Sequence, residues 1–124
     1  MPKTTVLLVL IFCCHLAVLA ERKRFTLYVN PHHRDLNETL YADDHHCHTI
    51  PYFYRRRASS IRTNGNCILL FPSLDCKKGE EFVFKKHCHG SRCCSKMDFA
   101  GCEIVKEDGT VLKIDDAAQA YVIC

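Results

Sequence analysis

The chain has 124 residues, among them 10 cysteines and no tryptophan, and carries 17 Lys and Arg against 14 Asp and Glu. That length fits one domain, and a net charge of +3 is too small an excess to argue for nucleic-acid binding. Beyond the leading segment no stretch is long and apolar enough to span a bilayer, which takes about 20 apolar residues.

Residues 1–20 read as a cleavable signal peptide. Lys3 precedes the apolar run Val6–Leu19, and Val18-Leu-Ala20 offers small or modest side chains for the peptidase. The alternative, a signal anchor kept in the membrane, asks for a longer run. Cleavage removes Lys3, Cys13, Cys14 and His15 and lowers the net charge from +3 to +2. The remaining charge is unevenly laid out: residues 21–62 hold eight basic and five acidic side chains, residues 63–124 eight and nine. Any basic face is therefore expected in the first half.

Residues 21–46 read as an N-terminal extension. They open with Arg22-Lys-Arg24, continue through a short strand at Phe25–Val29, and break at Asn30-Pro-His-His-Arg-Asp35. No cysteine lies among residues 21–46, so nothing crosslinks the segment, and it is expected to be partly mobile. Asn37-Glu-Thr39 is an N-glycosylation sequon.

Residues 47–124 read as a disulfide-rich β domain. Its cysteines are Cys47, Cys67, Cys76, Cys88, Cys93, Cys94, Cys102 and Cys124. An even set behind a signal peptide points to four disulfides in an oxidising compartment. Crosslinks worth roughly 2–4 kcal/mol each suit a chain whose core is small. Eight cysteines allow 105 pairings, so connectivity stays open, although the adjacent Cys93 and Cys94 are expected to take different partners. Short strands are expected at Ile61–Thr63, Cys67–Phe71, Glu81–Phe84, Cys102–Lys106, Thr110–Ile114 and Ala120–Ile123. Asn64-Gly65 and Asp108-Gly109 predict hairpins between their flanking runs. The fold class is all-β: a small disulfide-stapled antiparallel sandwich with little helix.

The segment Ala58-Ser-Ser-Ile-Arg-Thr-Asn-Gly-Asn-Cys67-Ile-Leu-Leu-Phe71, followed by Leu74-Asp-Cys76-Lys-Lys-Gly79, resembles the βγ-crystallin-like Greek-key domain in its small, secreted, cysteine-rich versions. In that family a strand ending in an aromatic leads into a folded hairpin closed by glycine, positions that Phe71 and Gly79 fill here. Cys76 stands where the corner aromatic would be, and the spacing is one residue longer. Asp115-Asp116 match the acidic pair of the family's calcium loop, whereas Gln119 and Ala120 replace its hydroxyl residues. Tyr54-Arg-Arg-Arg-Ala-Ser-Ser60 echoes the same loop with arginines in place of the acids. The resemblance covers residues 50–124 and implies a two-motif antiparallel sandwich with a non-enzymatic structural, binding or toxin-like role.

Three constellations are candidates for chemistry. His45, His46 and His48, with His87 and His89, supply imidazoles suited to zinc or copper; a Cys47–Cys88 bridge would bring the two groups together. The alternative is a polar pair of solvated loops. Calcium at Asp115 and Asp116 is expected to be weaker, since calcium takes six to eight oxygen ligands. Arg55, Arg56 and Arg57, beside Tyr52, Phe53 and Tyr54, form a basic patch with aromatics suited to an extracellular protein, a glycan or an anionic surface. On a strand, Arg55 and Arg57 would share one face. The same run also reads as a processing site, or as a solvated loop with its rings packed inward. No nucleophile elbow, phosphate loop or H-E-x-x-H occurs, so no catalytic residues are assigned and an enzyme is not expected. The function expected is that of a secreted, non-enzymatic binding or effector protein. The alternatives are a cytokine- or growth-factor-like signal and a small enzyme inhibitor that uses the Pro72–Lys78 loop.

Overall fold

A computed structural model describes residues 23–94 and 96–124. The expected signal peptide, residues 1–20, and its cleavage site lie outside them, as does Arg22 of the basic run. The described residues form an all-β structure. Its strands are β1 (Lys23–Asn30), β2 (Arg34–Ala42), β3 (His48–Thr49), β4 (Ser60–Arg62), β5 (Ile68–Phe71), β6 (Phe82–Phe84), β7 (Glu103–Val105), β8 (Val111–Lys113) and β9 (Ala120–Ile123). They pair antiparallel into sheets of order β2-β1-β4, β3-β9-β5-β6 and β7-β8.

β1 is built from β-branched and aromatic residues, which fit a pleated, half-buried surface. Phe25 and Leu27 point into the core and are fully buried. On the other face, the Thr26 hydroxyl bonds that of Thr39 across the hairpin at 3.0 Å, and the Tyr28 ring packs on His33 at 5.0 Å. The chain reverses at Pro31–His33, where His32 and His33 both take positive φ. That turn is tied down: His33 N–H donates to Ser60 Oγ, and His32 N–H donates to Asp98 Oδ1 at 2.7 Å. The segment expected as an extension is thus a hairpin whose inward side chains, Phe25, Leu27, Leu40 and Ala42, share one core cluster with Ile68, Phe84 and Ile123. Burial and the β1–β4 ladder hold it in place without a disulfide.

The two larger sheets repeat one bonding scheme. Tyr28 faces Ser60 in the first, and Phe71 faces Ala120 in the second. Ser59 N–H donates to the Tyr28 carbonyl and Gln119 N–H to that of Phe71, each at 2.8 Å. Ile50 N–H donates to the Gln119 carbonyl, and Phe99 N–H donates to the Ser59 carbonyl, each at 2.9 Å. β3, which precedes β4 in the chain, therefore pairs with β9 of the second sheet, while Asp98 of the second half bridges to Ser60 of the first. The first half thus lends β3 to the second sheet, and the second half returns a single bridge at Asp98 to the first. Rings close the space between them, with Phe25 edge-on to Tyr121 and Phe84 tilted against Phe99, both at 5.0 Å between centroids.

Of the two expected hairpins, β7–β8 forms around Glu107-Asp-Gly109, with Lys106 N–H donating to the Thr110 carbonyl at 2.8 Å. The Asn64-Gly65 turn also forms, with φ of 54° and 79°, but it passes the chain from β4 in the first sheet to β5 in the second. A two-residue turn sets the reversal; sheet membership follows from the neighbours each strand finds, here β1 for β4 and β9 with β6 for β5. Four disulfides join Cys47–Cys76, Cys67–Cys124, Cys88–Cys93 and Cys94–Cys102, so Cys93 and Cys94 do take different partners. No helix among the described residues is long and apolar enough to cross a membrane.

Candidate binding surface

The Arg55–Arg57 run lies between β3 and β4, strands that belong to different sheets, so the chain must cross from one to the other. It crosses in consecutive tight turns, not in the expected strand. The Pro51 carbonyl accepts from the N–H groups of both Tyr54 and Arg55, at 2.9 and 3.1 Å, and Arg57 N–H donates to the Tyr54 carbonyl. Arg56 sits at φ 61°, in the left-handed region. The alternation that would have put Arg55 and Arg57 on one face is therefore absent.

Each aromatic and arginine has a distinct place. Tyr54 is the anchor: half-buried against the core, its hydroxyl donates to the Asn37 carbonyl at 2.9 Å. Tyr52 and Phe53 point outward, 85% and 50% exposed. The Arg55 guanidinium donates twice to the Ile50 carbonyl, at 3.2 and 3.1 Å, and lies 5.7 Å from the Tyr52 ring centroid. Arg57 lies over the Phe53 ring at 5.0 Å. Arg56 projects into solvent. The surface thus consists of Tyr52, Phe53, Arg56 and Arg57, while Arg55 brackets the turn from beneath. That bracketing role was missed in the sequence because it depends on where the turn carries the Ile50 carbonyl, and no residue pattern encodes it.

The neighbouring turn at residues 114–119 pairs with this one. Arg56 N–H donates to the Ala118 carbonyl at 2.9 Å, and Asp116 N–H donates to the Ala58 carbonyl at 3.1 Å. Asp116 shares the positive φ of Arg56, at 55°. Its carboxylate accepts from the Ser59 hydroxyl at 3.2 Å, while Asp115 is exposed. The Gln119 amide N–H donates to the Pro72 carbonyl. Among the described residues no three His, Cys, Asp or Glu side chains converge here or elsewhere.

The histidines are dispersed. Cys47 bonds Cys76 and Cys88 bonds Cys93, so the bridge that would have joined the two groups is not formed. His45 Nδ1 donates to the Ile123 carbonyl at 2.8 Å, and His48 Nε2 to Asp44 Oδ1 at 2.6 Å, with the His48 ring stacked on Tyr121. These bonds engage two of the nitrogens a metal would use. The hydrogen bond from His48, and secondarily that from His46 N–H, hold the Asp44 carboxyl below its ordinary value. His46, His87 and His89 are exposed, the last two respectively beside and within the small Cys88–Cys93 loop.

Asn37 is exposed on β2, and its side-chain amide donates only to the nearby Asp35 carbonyl at 3.1 Å. Expression through a eukaryotic secretory pathway is expected to yield a chain whose mass falls on glycosidase treatment, and Asn37→Gln should abolish that drop. An unchanged mass for the secreted wild type would overturn this expectation. No family model, curated protein or solved structure matches the chain.

Proposed function

We infer that this is a secreted, non-enzymatic binding protein that docks an acidic face of another extracellular protein through the Tyr52–Arg57 turn. The observation that carries the reading is the outward placement of Tyr52 and Phe53 with guanidinium groups stacked beside them. Exposing two large rings at the tip of a turn costs hydration free energy, and aromatic and arginine side chains dominate binding hot spots. Backbone bonds to residues 116–118 hold the turn in shape, which lowers the ordering cost of association. Asp115 and Asp116 on the adjoining turn give the surface a negative edge, so a discrete acidic patch fits it better than a uniformly anionic membrane. Four disulfides support an extracellular setting. The reciprocal exchange of β3 and Asp98 between the sheets supports reading the fold as a duplicated Greek key of the βγ-crystallin kind.

A displayed random-peptide library selected on the folded, oxidised protein is the test. Acidic peptides should be enriched, and their affinity should fall about tenfold or more for Tyr52→Ala and for Arg56→Ala with Arg57→Ala. Added salt should weaken the wild type in the same direction. Unfolding stability should stay within about 1 kcal/mol, because exposed charges contribute little to it. Arg55 is left intact, since its loss would release the Ile50 carbonyl. Selected peptides that lack acidic residues, or that bind the variants as they bind the wild type, would refute the assignment.

A further inference from the structure

A second basic surface draws on both halves of the chain. Arg62 ends β4 in the first sheet, and Lys85 and Lys86 follow β6 in the second. They meet across a cleft of about 470 Å³, which His33 and His87 also line and which no carboxylate enters. His87, at φ 58°, follows the two lysines directly in the chain and lines the cleft with them. Three of the second half's eight basic residues are matched: Lys106 with Glu80 at 3.0 Å, Lys113 with Glu103 at 3.7 Å, and Arg92 with Glu81 at 2.7 Å as an ion pair rather than an aligned hydrogen bond. Arg62, Lys85 and Lys86 have no such partner among the described residues. Three cations facing one concave space repel one another, and an anion placed among them relieves that repulsion.

We propose that this cleft binds a small ligand bearing two or more tetrahedral oxyanion esters, sulfate or phosphate, on a scaffold of saccharide or cyclitol size. The chemistry follows from the cations. Two ammonium groups act as point charges toward any oxygen of a tetrahedral ester, and the Arg62 guanidinium adds a fork matched to two of its oxygens. A cleft of about 470 Å³ exceeds a single inorganic ion and lies in the range used for small organic ligands. Met97 supplies an apolar part of the wall for the ring carbons of such a scaffold.

The test is calorimetric titration of the oxidised protein with a heparin-derived tetrasaccharide, its desulfated counterpart and inositol hexakisphosphate. Binding of the sulfated saccharide or of the inositol phosphate, with the desulfated sugar at least about tenfold weaker, supports the site, and the tighter of the two identifies the ester. Affinity should fall about tenfold or more in Lys85→Gln with Lys86→Gln, and again in Arg62→Gln. The Arg56→Ala, Arg57→Ala variant should bind within about twofold of wild type, which keeps this site's outcome separate from that of the Tyr52–Arg57 turn. Failure of both esters to bind, equal binding by the desulfated sugar, or unchanged binding in the Lys85, Lys86 and Arg62 variants would overturn the proposal.

Discussion

Phe25→Ala is expected to lower the unfolding free energy by about 3–5 kcal/mol, the usual loss for a buried phenylalanine. The side chain is fully buried, and its ring meets the edge of Tyr121 from the opposite sheet at 5.0 Å and 72°. The ring sits among the buried side chains of the core cluster on a strand fixed by its pairing with β2, so the close-packed walls of the hole left by truncation resist collapse. No disulfide reaches residues 23–42, which makes the experiment a direct reading of what holds the hairpin in place. An accessory extension would lose almost nothing on the same change. Denaturant unfolding of the oxidised protein, followed by near-ultraviolet circular dichroism, decides between them. A loss under about 1 kcal/mol would mean that the β1–β2 hairpin is not part of the cooperative core.

That contrast marks where the sequence becomes hard to read. The strands of the second half announce themselves. Ile68–Phe71 and Ala120–Ile123 are apolar runs bounded by turn residues, and both form as expected. β2 hides because its outer face is in solvent along most of its length: Arg34, Asp35, Leu36 and Asn37 are all exposed, and only Leu40 and Ala42 are buried. A period of two is present there, but a small alanine and one leucine give it little amplitude, and the sequon suggests a loop. The absence of cysteine from residues 21–46 misleads further, since crosslinks report loop constraint and say nothing of burial.

The candidate surfaces divide on similar lines. The arginine run is visible because its members are adjacent in the chain; their roles are not, because the crossing between sheets turns Arg55 under the loop and leaves Arg56 outside. The cleft formed by Arg62, Lys85 and Lys86 cannot be read locally at all. Its charges come from the end of β4 in one sheet and from the turn after β6 in another, whereas a count by halves puts the basic excess in residues 21–62. Charge convergence is a property of topology, and topology here depends on an exchange of segments that no single stretch of residues specifies.

The disulfides should separate by the length of chain they close. Cross-linking removes loop-closure entropy from the unfolded chain, by about 4 kcal/mol for the 57-residue separation of Cys67–Cys124 and about 2 kcal/mol for the 5-residue separation of Cys88–Cys93. Cys47–Cys76, with a separation of 29, falls between them at about 3.5 kcal/mol. Position reinforces the order. Cys67 precedes β5 and Cys124 follows β9, strands already paired at Ile68 and Ile123, and Cys124 N–H donates to the Cys67 carbonyl at 2.9 Å. The long crosslink therefore closes where the sheet already brings the chain together. Cys94–Cys102 spans 8 residues but Cys94 is buried in the core cluster, so its alanine variant adds a packing loss of roughly 1 kcal/mol to a small loop term. Paired alanine variants, compared by denaturant unfolding, are expected to rank Cys67–Cys124 as the costliest and Cys88–Cys93 as the least costly, with the other two close together. Should Cys88–Cys93 instead cost as much as Cys67–Cys124, native contacts around the small loop would outweigh chain entropy, and the stability of the basic cleft beside it would depend on that crosslink.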